Sequence, residues 1–231
     1  MNGAQFASHA ERRLVLATGV AGFAAALLVG IGEGLMQFNP AGGYEAADYG
    51  YFASVPIGRL TAGHFLAVLA APLYIAGYWH VSRMLAPASR LLAAVVFLIS
   101  AYSFVVGAVW IGQRAFLGLT VHEIANGADL AALLSAFAAL NEPLVTVLRI
   151  AMLLVSIIWV TLIIGGKSRY PRAMAIMSPA AMLAAIFALY FALPAVGRYF
   201  LPVAMNLVHA ILFALSLLIA ASRPRDPGQS K

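Results

Sequence analysis

Residues 27–38 read "LLVGIGEGLMQF", a glycine-rich apolar run with one carboxylate, Glu33, inside it. A carboxylic acid kept protonated by apolar surroundings can protonate an alkene, epoxide or carbonyl of a lipophilic substrate. Another group must then take a proton away, and aromatic faces can steady a developing cation. The sequence offers His64, His209 and Glu123 as partners in that proton traffic. Arg149 would orient a substrate, and Trp110 and Tyr102 would wall it. Gln113, Arg114, His122, Glu142 and Asn206 would contact it. Such a set needs no cofactor and suits an isomerase, a cyclase or an epoxide-opening enzyme.

Spacing brings these residues toward one place. Thr18, Gly22, Ala26, Gly30 and Gly34 recur every four residues, a ladder that lets helices approach closely. Glu33 lies beside the ladder and therefore points into a bundle rather than at lipid. Glu142, Thr146, Arg149 and Ser156 share one helical face, as do Asn206 and His209. A salt bridge from Arg149 to Glu33 or Glu142 is the competing structural role for that arginine. Arg59 and Arg198 fit snorkelling at helix ends, and His80 beside Trp79 fits an interfacial anchor. Glu45 and Asp48 read as solvated loop residues.

The elements that must hold these groups are membrane helices. Of 231 residues, 63% are hydrophobic and 10% charged, against about a quarter charged in soluble domains. Six spans are expected, near 13–37, 59–83, 90–114, 143–166, 173–197 and 200–222. Each is about long enough for a 30 Å hydrocarbon core. The fold class is therefore an all-α, six-helix transmembrane bundle. Residues 129–140 are too few to span and read as an extra interfacial helix on the outer side. Residues 1–222 form one domain, and 223–231 a polar, disordered tail.

Basic residues gather in the short turns "SRMLAPASR" and "GGKSRYPR" and at both ends of the chain. The positive-inside rule then puts both termini in the cytoplasm, of a bacterial inner membrane if the source is bacterial. Tyr78, Trp79 and Tyr170 fit an aromatic belt at that side. The net charge of +6 marks topology, since no basic patch with interleaved aromatics implies a nucleic-acid partner. The absence of cysteine removes thiolate chemistry and cysteine-ligated metals. The partners expected are the bilayer, a lipophilic small molecule and a second copy packed on the Gly22/Ala26/Gly30/Gly34 face.

Other chemistries fit less well. A haem needs two axial histidines at matching depth, for which His64 and His209 are the available pair. Zinc or iron sites favour close His and carboxylate repeats, and none is present, so no metal is expected. Proton-coupled transport, lipophile binding or an accessory role in a larger complex are the alternative functions. "GRLTAGHFLAVLAAPLYIAGYWHVSR", residues 58–83, resembles the second-span region of a family of small bacterial integral membrane proteins of unassigned function. The shared features are Gly63, Pro72-Leu73-Tyr74, Gly77 and Trp79-His80. The resemblance implies a six-helix bundle and no activity.

Overall fold

Runs this apolar leave the backbone no water to bond, so the chain closes its hydrogen bonds within helices. A computed structural model, which describes residues 6, 8–44 and 48–222, contains helices and no strand among the described residues. The helices are α1 (His9–Gln37), α2 (Ile57–Ala70), α3 (Leu73–Leu85), α4 (Arg90–Ala125), α5 (Ala131–Ile164), α6 (Pro179–Ala192), α7 (Pro194–Gly197) and α8 (Ala204–Ser222). Short 3-10 turns lie at Gly50–Ser54, Arg172–Met177 and Leu201–Val203. Glu45 and the tail 223–231 fall outside the described residues.

Helices α1, α4 and α5 and the stretch Leu201–Ser222 are each long and apolar enough to cross a membrane. The pair α2 and α3, bent by 40°, adds a fifth if it counts as one span. Large apolar side chains such as Leu69, Leu91, Phe191 and Leu218 stand exposed on the surface. The chain has the build of a membrane protein.

Serines start several helices. Ser8 Oγ accepts the Glu11 N–H at 3.1 Å at the head of α1, and Ser89 Oγ accepts the Leu92 N–H at 3.3 Å at the head of α4. Gly127, at φ +98°, follows the end of α4 in a backbone region that other residues avoid.

Two sequence expectations need correction. Residues 131–140 do not form a separate helix, because they are the start of the 34-residue α5, which continues through Pro143. The proline forfeits one backbone bond, to the carbonyl of Ala139. Tertiary contacts carry the helix past it: Leu134, Phe137 and Ala138 pack on the core, and Asn141 bonds α4. Likewise the segment expected to span 173–197 is not one helix. Residues 172–177 form a 3-10 turn, and α6 has only 14 residues. The Trp159 indole N–H donates to Met174 O at 2.8 Å, and the Ala180 N–H donates to Ser156 Oγ at 2.9 Å. The chain therefore climbs alongside α5 before α6 begins.

The small-residue ladder of α1 is used within the chain. A Cβ on Gly22 would lie 2.5 Å from Gly77 Cα on α3, and one on Gly30 would lie 3.0 Å from Asn206 Cβ on α8. The surface expected to meet a second copy is thus taken up by α3 and α8. Gly32 and Gly63 bring α1 and α2 equally close.

Polar groups sit in layers. At one end Glu11 pairs with Arg83 at 2.7 Å and Arg169 at 3.4 Å. From Glu11 to Glu33 the helix rises about 33 Å. Between these layers His80 is fully buried, not interfacial. Its Nδ1–H donates to Val15 O at 2.7 Å, and its Nε2 accepts from Ser216 at 2.6 Å. Ser216 in turn accepts from the Tyr170 hydroxyl at 2.6 Å. Tyr78 and Tyr170, expected in a belt, are buried too.

Gly22→Val should lower the melting temperature in detergent, with a loss of about 1–3 kcal/mol from overpacking. Gly58→Ala, within α2 where a Cβ meets nothing within 4 Å, should hold or slightly raise it. Equal melting of both variants would show that the α1–α3 contact is not close.

Candidate functional site

Glu33 is buried, and both its oxygens are engaged. Oε1 accepts from Gln37 Nε2 at 3.0 Å and Oε2 from Asn206 Nδ2 at 2.5 Å. Gln37 follows Glu33 by one helical turn, so the two share a face of α1. Asn206 reaches in from α8, and its Oδ1 accepts from the Tyr74 hydroxyl at 2.6 Å. Gln37 Oε1 accepts from Arg114 Nε at 3.0 Å.

Arg114 extends the chain to the far side of the bundle. Its Nη1 lies 3.2 Å from Glu142 Oε1, and its Nη2 donates to the Tyr51 hydroxyl at 2.7 Å. Tyr49 donates to the same Glu142 oxygen at 2.5 Å. The guanidinium also lies over the rings of Tyr49, Phe52 and Trp110 at 5.1, 5.7 and 5.3 Å. Burial, and after it the bond to Glu142, pushes the Tyr49 hydroxyl up to about 12. Tyr49 therefore remains a donor to Glu142 throughout the neutral range. Burial raises Tyr51 further still.

A cavity of about 810 Å³ opens beside this network, between α1, α3, α4, α5, α6 and α8. Glu33, Tyr74, Arg114, Glu142 and Asn206 line it, and so do Trp110 and Arg149. Much of the remaining wall is apolar, with Phe104, Leu148, Met152 and Phe187 among its residues. That size and lining suit a small lipophilic ligand. Two prolines shape it. The bend at Ala71–Pro72 turns Tyr74 toward the cavity, and Pro143 frees the carbonyl of Ala139, which also lines it. Helix α6 closes one side loosely, with only Pro179 buried among its residues.

Of the residues expected to converge, Glu33, Trp110, Arg114, Glu142, Arg149 and Asn206 do so. The others do not. His209 lies beside the cavity wall, fully buried among Tyr74, Tyr78, Phe104 and Phe213. Its Nδ1–H donates to Met205 O at 2.7 Å, and its Nε2 accepts from Tyr78 at 2.7 Å. Both ring nitrogens are occupied, so it is not poised as a proton acceptor or an axial ligand. His64 packs against Phe65 and Phe116, away from the cavity lining. His122 donates to Val55 O at 2.7 Å and holds the loop before α2. Glu123 is exposed outside the cavity, and Tyr102 is 61% exposed and forms no wall. Gln113 accepts from Asn141 at 3.1 Å and serves the α4–α5 contact. Arg149 pairs with neither Glu33 nor Glu142. Arg114 takes that place, bonded to Glu33 through Gln37.

The family model described as "Family of unknown function (DUF6796)" matches residues 10–223. The chain belongs to that family. No curated protein and no solved structure matches it. The residues that build the site in this DUF6796 member, from Glu33 to Asn206, all fall within the matched segment.

The sequence reading missed Gln37, Tyr49, Tyr51 and Tyr74. Gln37 carried a signal, standing one turn from Glu33. The loop tyrosines obey no helical period and carried none.

Arg114→Met should cost about 2 kcal/mol of stability, because buried Gln37 and Tyr51 lose a charged partner. The half-exposed Glu142 adds little to that loss. Arg149→Met, which breaks no hydrogen bond, should stay within about 0.5 kcal/mol of wild type. Thermal unfolding in detergent compares the two, and a larger loss at Arg149 would contradict the assignment.

Proposed function

We propose that this chain crosses the membrane six times with both termini cytoplasmic, and that its outward-facing chamber binds a lipophilic small molecule. Glu33 then performs acid/base chemistry on that molecule without a cofactor. The supporting observation is a buried carboxylate lining an otherwise largely apolar cavity of about 810 Å³.

The membrane placement has physical support. The rise of about 33 Å between the Glu11 and Glu33 layers matches the hydrocarbon thickness of a bilayer. Arg83 and Arg169 mark the Glu11 end, which the excess of positive charge makes the inner one. The fifth crossing then combines the 3-10 turn Arg172–Met177 with α6. The ends of α4 and α5 run about 16 Å past Arg114 and Glu142 and stand at the outer surface.

The acid/base reading rests on Glu33 and the Asn206–Tyr74 arm that carries it. A hydroxyl at the far end of that arm can accept from a turned Asn206 amide, and its own O–H then faces the cavity that Tyr74 lines. A second reading is proton-coupled transport, with buried Glu33 as the group that changes charge and Asn206 on α8 beside it. A proton current in vesicles containing the purified protein, driven by a pH gradient, would select it.

Protein purified from its own membranes should release a lipophile on solvent extraction. Glu33→Gln should fold and retain a chemically different molecule, the unprocessed one, identifiable by mass spectrometry. The same molecule in both proteins would leave binding and remove the chemistry. An empty wild-type chamber would remove both. For the topology, Asp129→Cys should react with an impermeant maleimide from outside intact cells and Lys167→Cys should not. The opposite pattern would invert the orientation.

A further inference from the structure

Four charged side chains line the cavity, and three of them are answered. Glu33 is held by two amides, and Arg114 and Glu142 hold each other. Arg149 forms no hydrogen bond or ion pair among the described residues, although a guanidinium carries five N–H donors. It lies about 10 Å below Glu142 along α5 and about 22 Å above the inner end of that helix. Arg149 is exposed, and on the proposed membrane placement that depth lies inside the hydrocarbon layer, where a guanidinium facing a cavity favours an anionic partner. A second donor nearby is also unsatisfied: the buried indole N–H of Trp110 has no partner. Asn141 bonds the Trp110 carbonyl, which sets Trp110 about 12 Å above Arg149 in level, on the same cavity.

The shape narrows the ligand. On α5 the lining runs from Ser135 to Met152, about 25 Å along the axis. A cavity of about 810 Å³ with a largely apolar lining along that length accommodates an extended hydrocarbon chain. Above Arg149 the charges are already matched, Arg114 by Glu142 and Glu33 by two amides, so Arg149 is the cation left for an anion.

We infer that the chamber's ligand is a single-chain amphiphile with an anionic head, carboxylate or phosphate, bound by the unpaired guanidinium of Arg149. This rests on the reading of the cavity as a lipophile chamber and adds the charge of its occupant. Arg149 is a specificity residue, and the hydrocarbon tail follows the apolar faces of α4 and α5.

The test titrates the full-length protein in non-ionic detergent with palmitate, hexadecyl phosphate and hexadecanol, read by native mass spectrometry. One or both anions should bind about tenfold or more tighter than the alcohol. Palmitate alone would point to a fatty acid, hexadecyl phosphate alone to a phosphate-headed lipid, and either supports the inference. Arg149→Gln should bring the preferred anion down to the affinity of hexadecanol and leave hexadecanol unchanged. Arg149→Lys should retain much of the preference. Equal binding of all three by the wild type, or a preference that survives Arg149→Gln, overturns the inference and leaves the chamber reading standing. Binding of none of the three overturns the inference and the chamber reading together.

Discussion

A carboxylate inside a helix bundle is tolerable only when its oxygens are hydrogen-bonded, and the upper half of this fold is organised around that demand at Glu33. One oxygen draws on α1 itself through Gln37, and the other on α8 through Asn206. Each amide needs its own second partner, so the demand passes outward to Tyr74 on α3 and Arg114 on α4. Arg114 passes it on to Glu142 on α5 and to the tyrosines of the 38–56 loop. Five helices and a loop are joined through one acid.

Close packing makes these reaches short. Gly22 against Gly77 and Gly32 against Gly63 draw α2 and α3 onto α1 without intervening side chains. Space is then created elsewhere, by the bend at Pro72 and by the short helix α6. The half toward Glu11 is closed instead by side chains: Phe213 and Tyr78 fill the middle, and the His80–Ser216–Tyr170 chain bonds α8 to α3 and to the loop after α5. Tight contact between α1 and its neighbours and looseness around α6 are two sides of one arrangement.

Composition and period made the helical class, the basic end and the inward direction of Glu33 legible. They could place Arg149 on the same face as Glu142 but could not say which arginine meets which acid, because partner choice depends on the register between helices. Arg114 wins because α4 runs antiparallel to α5 with Trp110 beside Asn141. The break expected before Pro143 is absent because contacts with α4 outweigh one lost backbone bond. Tyr49 and Tyr51 come from a 3-10 turn and its approach, where sequence carries no repeating pattern. His209 stands among the expected site residues, and it is fully buried. Its role is taken by Tyr78 and a backbone carbonyl.

The two amides that hold Glu33 are not equivalent. Gln37 faces Arg114, which only donates, so its amide has one permitted orientation. Asn206 faces the Tyr74 hydroxyl, which can donate or accept, so its amide has two. A proton arriving on Oε2 can be met by turning Asn206 over, with Tyr74 then accepting from its amide and the Tyr74 O–H, which loses Asn206 as acceptor, left to the cavity that Tyr74 lines. The same proton on Oε1 would set an N–H against a guanidinium. One side of the carboxylate is a fixed clamp and the other a reversible latch, so the two oxygens of Glu33 are not interchangeable toward a proton.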